Sequence, residues 1–300
     1  MSTGRQVWSV VELLPEGKAI ESPVAMAQKP FGTSERIGGK MKMSAALLFV
    51  SLIPVLLIAQ RPASRPVVHL RTVVDLTHTL NASTPTYEET KEPTYRVNTV
   101  ATLEKDHYFA REICLPEHFG THLDAPAHFA KGQWTVDQIP AERLMTRLVV
   151  LDETAKLKNN SDYQLSAADI TSWEKLHGQI PAKAVVALRT GWEIRWNSAK
   201  DYRNLDAKGV LHFPGFGMDA AKLLVEGRKV YGLGIDTLSI DYGPSPDFPV
   251  HQYSLAHGLY HLENVANLAS VPANGALVVV APMKLEGGSG APVRILAIVQ

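Results

Sequence analysis

The chain has 300 residues, 45% of them apolar, and its 30 basic and 30 acidic side chains cancel. That balance offers no basic field for a nucleic acid and no bulk attraction for an acidic substrate, while the apolar share suits a globular protein with a sizeable core. Cys114 is the single cysteine, which excludes an internal disulfide and any cysteine-cluster zinc site. It lies in an apolar run and is expected to be a buried strand residue.

Residues 1–40 show no sustained period and read as a non-structural extension. Lys40 and Lys42 then precede an apolar run from Ala45 to Ala59. A basic start, an apolar stretch of that length and a small residue at its end predict a secretory signal peptide over 41–59, with Met41 or Met43 as the true start. The run is short for a spanning helix and Pro54 interrupts it, so no stable membrane anchor is expected. No cysteine follows for a lipid. The mature chain would be periplasmic or secreted, with a proline-rich linker at 60–66 and one domain over 67–300.

Val67 to Leu76 is β-branched and apolar, a strand by content. Thr84 to Pro93 is a loop carrying Tyr87. Tyr95 to Leu103 and Tyr108 to Leu115 predict a hairpin that delivers the chain to His118-Phe-Gly-Thr-His-Leu-Asp-Ala-Pro-Ala-His128. In that run His118, His122, Asp124 and His128 share one parity, and imidazoles with a carboxylate are the donors a borderline-soft divalent ion takes. A helix would turn Asp124 roughly 240° away from His118. A fully extended strand would leave His118 and His122 roughly 13 Å apart. A bent strand end answers both. Gly120 stands at the parity position between the histidines, where a side chain would intrude on the ion and where the backbone can bend. Pro126 opposes continuation as a helix or a central strand.

Beyond the run, Leu148 to Leu151 predicts a buried strand. Ser166-Ala-Ala-Asp169 has the form of a capping box and starts a helix to about His177, stopped by Gly178. Ala184 to Leu188 is a strand, Asp219 is placed as the cap of a helix to Glu226, and Val230–Ile235, Leu277–Ala281 and Val293–Val299 complete a strand-rich core. Asp236 and Asp241 end an apolar strand, as ligands or as anchors of the proline-rich loop from Tyr242 to Pro249. The anchor role is preferred. The segment from His251 to Asn264 is the other place dense in ligand types, holding His251, His257, His261 and Glu263. His261 is expected on a helix or loop surface, His257 in a structural or supporting contact, and His78 in the core or behind the ligands.

His118-x-Gly-Thr-His-x-Asp-x-Pro-x-His128 resembles the signature of the cyclase family of metal hydrolases, which includes kynurenine formamidases and isatin hydrolases. Asp75-Leu-Thr-His78, Thr84-Pro-Thr-Tyr87, Gly234 to Asp241 and Gly290-Ala-Pro-Val-Arg294 extend the likeness to most of the chain after Asp75. The resemblance implies one α/β domain with a mixed, partly barrel-like β-sheet flanked by helices, and a homodimer or larger homo-oligomer. It also implies a ligand set. His118 and His122 would hold one ion, His251 the other, and Asp124 and Glu263 would bridge them, because His251 and Glu263 keep the formamidase spacing of twelve positions. The glutamate argues for two zinc ions, with manganese the other option and a single manganese the pattern of the isatin hydrolase branch.

In the family pattern His128 is the acid/base. Metal-activated water would then cleave a C–N amide bond of a small aromatic substrate, an N-formyl aryl amine or a cyclic amide. Tyr87 would stack on the aryl group or stand as a solvent-exposed loop tyrosine. The segment Trp192 to Gly217 and the proline-rich loop depart from the formamidases and would reshape the pocket. The competing reading is a non-catalytic periplasmic metal- or ligand-binding protein on the same fold, against which His128 speaks, since pure binding has no use for a proton shuttle. No Gly-x-Ser-x-Gly elbow marks a serine hydrolase.

Overall fold

The computed structural model describes residues 72–88, 94–157 and 160–299. The expected extension, signal peptide and linker lie outside the described residues, as do residues 67–71 of the first strand. In chain order the strands are β1 (Thr72–Asp75), β2 (Arg96–Ala101), β3 (Ala110–Cys114), β4 (His122–Asp124), β5 (Met145–Asp152) and β6 (Gln164–Leu165). They continue as β7 (Val185–Arg189), β8 (Gly215–Phe216), β9 (Gly232–Ile235), β10 (Tyr260–Glu263), β11 (Ala276–Pro282) and β12 (Gly290–Val299). Three helices matter to the site and its support: α1 (Ala167–His177), α2 (Met218–Lys222) and α3 (Pro249–Ala256).

An eight-stranded sheet runs in the order β1-β12-β11-β5-β7-β9-β10-β4, and a further pairing of β4 with β12 closes all of it but β1 into a ring. The steps from β5 through β7 and β9 to β10 are parallel and the others antiparallel, so the sheet is mixed as expected. β5 and β7 read as unbroken apolar runs because both of their faces are buried. Leu148, Val150, Val185 and Ala187 point into the interior of the ring with Leu123, Leu262 and Ala291. Val149, Leu151, Val186 and Leu188 point outward, under Ile170 and Trp173 of α1 and Ala220 and Ala221 of α2. The period of two thus separates two cores across one sheet.

The Ser166–Asp169 capping box forms in both directions and α1 ends at Gly178. Asp219 is not a cap. Gly217 takes that position, and the Asp219 carboxylate accepts from the N–H of Ala167 at the start of α1 instead, bridging the two helices. The β2–β3 hairpin forms, with a short helical turn at Leu103–Asp106 in its connection. Cys114 is exposed on β3, against the buried position expected from its apolar neighbours, because nearly every residue of this two-stranded hairpin stays exposed, with none of the other described elements laid over it.

Candidate metal centre

β4 and β10 are antiparallel neighbours in a register that sets His261 opposite Asp124 and Glu263 opposite His122. Directly paired residues share a face. Leu123 and Leu262, the pair between them, point into the ring interior. The four donors therefore form a two-by-two square on the opposite face, all of them buried. His251, the third residue of α3, joins them.

His118 arrives by the bend at Gly120, where φ is +64° and an added Cβ would lie 2.2 Å from Cδ2 of Leu80. The bend the sequence expected at the glycine is there, in a left-handed backbone, and the side chain it leaves room for is Leu80. On the far side of β4, Gly290 of β12 pairs with Asp124, and a Cβ there would meet His118 Cε1 at 2.6 Å.

The two carboxylates divide the square into two poles. Asp124 Oδ1 lies 2.6 Å from His118 Nδ1 and 3.2 Å from His122 Nε2, and Glu263 Oε2 lies 3.4 Å from the same His122 nitrogen. The other oxygens face the second pole. Asp124 Oδ2 lies 3.5 Å from His251 Nε2, and Glu263 Oε1 lies 3.1 Å from it. Each carboxylate offers one oxygen to either side, as a bridging ligand must.

The outer nitrogens are already engaged. His122 Nδ1 donates to the Gly120 carbonyl at 2.9 Å, and His251 Nδ1 donates to Asp241 at 2.8 Å. Their Nε2 lone pairs are left facing buried carboxylates, an arrangement that is stable only around a cation. In the bare protein a proton fills that role. Burial pulls the His122 imidazole down, but Asp124 and then Glu263 outweigh it and hold it at about 9. His251 is raised in the same way, its burial outweighed by the neighbouring carboxylates of Asp124, Asp241 and Glu263. Asp124 Oδ2 and His261 Nδ1 have no hydrogen-bond partner at all. The donor set fits divalent ions of the zinc or manganese type.

His261 corrects the sequence reading. The sequence alone suggests a surface position, whereas the strand Tyr260–Glu263 carries it, fully buried, into the square. Asp241 clamps the start of α3, accepting from the N–H groups of Val250 and His251 at the far end of the proline-rich loop, so its expected anchoring role is partly realised. Asp236 does not touch that loop. It accepts from the N–H groups of Thr190, Gly191 and Trp192, holding the turn after β7. His257 is exposed at the end of α3, with Nδ1 on the Tyr253 carbonyl.

His128 stands in the turn Pro126–His128 directly after β4, its ring stacked on His118 at 4.0 Å between centroids. Burial pushes its imidazole down to about 4, so the ring is neutral near neutrality. A nitrogen of His128 lies within 4.8 Å of donors on His118 and Asp124. An aromatic wall rises beside it. Phe129 lies 5.0 Å from His251, Phe248 lies 5.7 Å from Phe129, and Tyr87 lies 5.8 Å from Phe248 and 6.4 Å from Phe213.

Tyr87 is partly buried against a small core of Trp192, Trp196, Tyr202, Leu211 and Phe213 from the departing segment, together with Leu238. Its ring is half-buried and not out in solvent, and burial and then the Glu263 charge raise its phenol pKa. His78 stacks on Trp196 at 3.8 Å in that same region.

A family model described as putative cyclase matches residues 74–242. The isatin hydrolase of Roseibium aggregatum is 33% identical over 242 residues, covering 76% of this chain and 91% of the relative. The kynurenine formamidase of Salinibacter ruber is 27% identical over 184 residues, covering 60% of this chain and 75% of the relative. Among solved structures, an isatin hydrolase bound to the product analogue thioisatinate has a TM-score of 0.72 at 31% identity, covering 76% of this chain and 92% of that one.

Proposed function

The chain belongs to the putative cyclase family, and from that premise we infer that it is a metal-dependent amidohydrolase that cleaves a C–N bond of a small aromatic amide. The observation that carries the reading is the convergence of imidazole lone pairs on two buried carboxylates, beneath an aromatic wall and beside a neutral histidine. Greater identity and coverage with the isatin hydrolase than with the formamidase favours a cyclic amide over an N-formyl aryl amine.

In this reading His118 and His122 would hold one ion, His251 the other, and Asp124 and Glu263 would be shared between them. A divalent pair held there would supply Lewis acidity toward the amide carbonyl and a water made nucleophilic near neutral pH. His128 takes the proton from the attacking water at an imidazole nitrogen and returns it to the leaving amide nitrogen. Burial keeps its ring neutral, with a lone pair available to accept. Asp241 and the Gly120 carbonyl hold His251 and His122 with their inner nitrogens free. Phe129, Phe248 and Tyr87 exclude bulk water and offer ring faces to a planar aryl group.

The test compares turnover and metal content on the same preparations. Metal-replete wild type is expected to hydrolyse members of a panel of aryl lactams, imides and formyl anilides, and a chelator to abolish this. His128→Ala should retain most of its metal while turnover falls by roughly 10²–10⁴. His118→Ala should lose metal and activity together. A wild type that holds its metal yet turns over no amide or ester would leave a binding protein as the better reading.

A further inference from the structure

We propose that Nδ1 of His261 is the fourth donor of the second metal position, completing it with His251 Nε2, Asp124 Oδ2 and Glu263 Oε1. The family ligand set carried over above leaves this pole with a single imidazole, whereas the first has two, His118 and His122.

The orientation of the ring follows from its neighbours. The hydroxyl of Ser254 donates to the Val250 carbonyl at 2.6 Å, one turn back along α3. Its proton is committed, so toward His261 Nε2, 2.7 Å away, the Ser254 oxygen can only accept. His261 therefore carries its proton on Nε2, and Nδ1 presents a lone pair. That lone pair has no hydrogen-bond partner in a residue of zero exposure. The nearest carboxylate oxygen, Asp124 Oδ2, is 3.7 Å away, beyond a hydrogen bond, and is itself unpartnered.

Two unpaired acceptors facing each other in a dry interior repel, and each forgoes the solvation it would have had in water. A cation between them removes both penalties at once. One donor atom from each of Asp124, His251, His261 and Glu263 lies within 4.8 Å of the other three. With His261 included, each pole has two imidazole nitrogens and one oxygen from each bridging carboxylate, a four-donor set of the kind zinc takes. Ser254 then has the outer-shell role that Asp241 has for His251, holding the ring by its far nitrogen.

The inference rests on the metal-dependent reading, and its test measures metal rather than turnover, so the two can fail separately. Metal-free full-length protein is titrated with Zn2+ by calorimetry and with Co2+ by visible absorption. Wild type should take two ions per chain. His261→Ala should keep the first and bind the second at least 10–100-fold more weakly, with the absorption of the second Co2+ equivalent altered.

His261→Gln covers the case in which the alanine variant fails to fold. Ser254→Ala provides an independent arm, since it removes no donor but frees the ring, and should weaken the second ion alone. Two ions bound with wild-type affinity and an unchanged Co2+ spectrum in the folded His261 variant would overturn the assignment, as would a Ser254→Ala variant indistinguishable from wild type if neither His261 variant folds. A wild type that takes up only one ion, indifferent to His261, also overturns it. A wild type that takes up none overturns the metal-dependent reading itself.

Discussion

Asp241 accepts three hydrogen bonds, from the N–H of Val250 and the N–H of His251, both at 3.0 Å, and from Nδ1 of His251 at 2.8 Å. An asparagine there must turn its NH2 toward at least one of those donors in either orientation. Asp241→Asn should therefore lower metal affinity by about 10- to 100-fold, measured by competitive titration. His122 yields a pH prediction. Its folded value of about 9 lies above the ordinary 6.5, so in metal-free protein its contribution to stability is complete below about 6.5 and is lost as pH rises through about 9. Melts of chelated protein should fall in temperature across that window. Metal-loaded protein should not show the drop, because the ion replaces the proton. An alkaline melt of chelated protein equal to the acid one would contradict the ring's being held charged by Asp124 and Glu263.

At the scale of elements, two three- and four-residue strands, β4 and β10, carry four donors because antiparallel pairing puts opposite residues on one face. β12 pairs with the other edge of β4, and its Gly290 leaves room for both the His118 ring and the Leu123 carbonyl. Gly290→Ala should push His118 aside and crowd β4. Metal content should drop in a protein whose far-ultraviolet spectrum stays native, and an unchanged metal content would show that the ring is not pinned there. Ser166→Ala is the contrasting case. It removes the cap of α1 and touches none of the donors, so it should cost about 0.5–2 kcal/mol in denaturant melts and leave metal binding alone.

Across the whole molecule, the pairing of β4 with β12 ties the histidine-rich run to the C-terminal strand and closes the ring. Bound ions would cross-link β4, β10 and α3 on top of that closure, so they should raise the melting temperature. Two expectations concern the chain beyond this fold. The basic and apolar pattern of Lys40 to Ala59 predicts export, and mass analysis of the periplasm or medium should find a start near Gln60; full-length protein in the cytoplasm would end that idea. The β2–β3 hairpin exposes Val97, Val100, Tyr108, Phe109 and Ile113, apolar surface that suits the expected homo-oligomer. Light scattering should give at least a dimer mass, reduced to monomer by Phe109→Glu with Ile113→Glu.

The sequence by itself was enough to single out the candidate donors whose spacing is local. His118, His122 and Asp124 share a parity around one glycine, and a bent strand end gathers them where a helix or a straight strand does not; His128, the acid/base candidate, shares that parity. The capping box of α1 and the apolar runs of β5 and β7 were legible for the same reason, since caps and periodicity are written in neighbouring residues. Tertiary structure alone decided the rest. His261 looks like a surface histidine in sequence because its burial depends on which strands flank Tyr260–Glu263, β9 on one side and on the other β4, more than a hundred residues away. Cys114 is the opposite case: its run is apolar, but among the described residues the hairpin stays exposed on both faces. Asp236 and Asp241, similar in sequence, hold different loops because β9 and the turn after it bring them to different backbones. A carboxylate's partner is set by proximity in space, and sequence spacing carries no information about that once the chain has crossed a sheet.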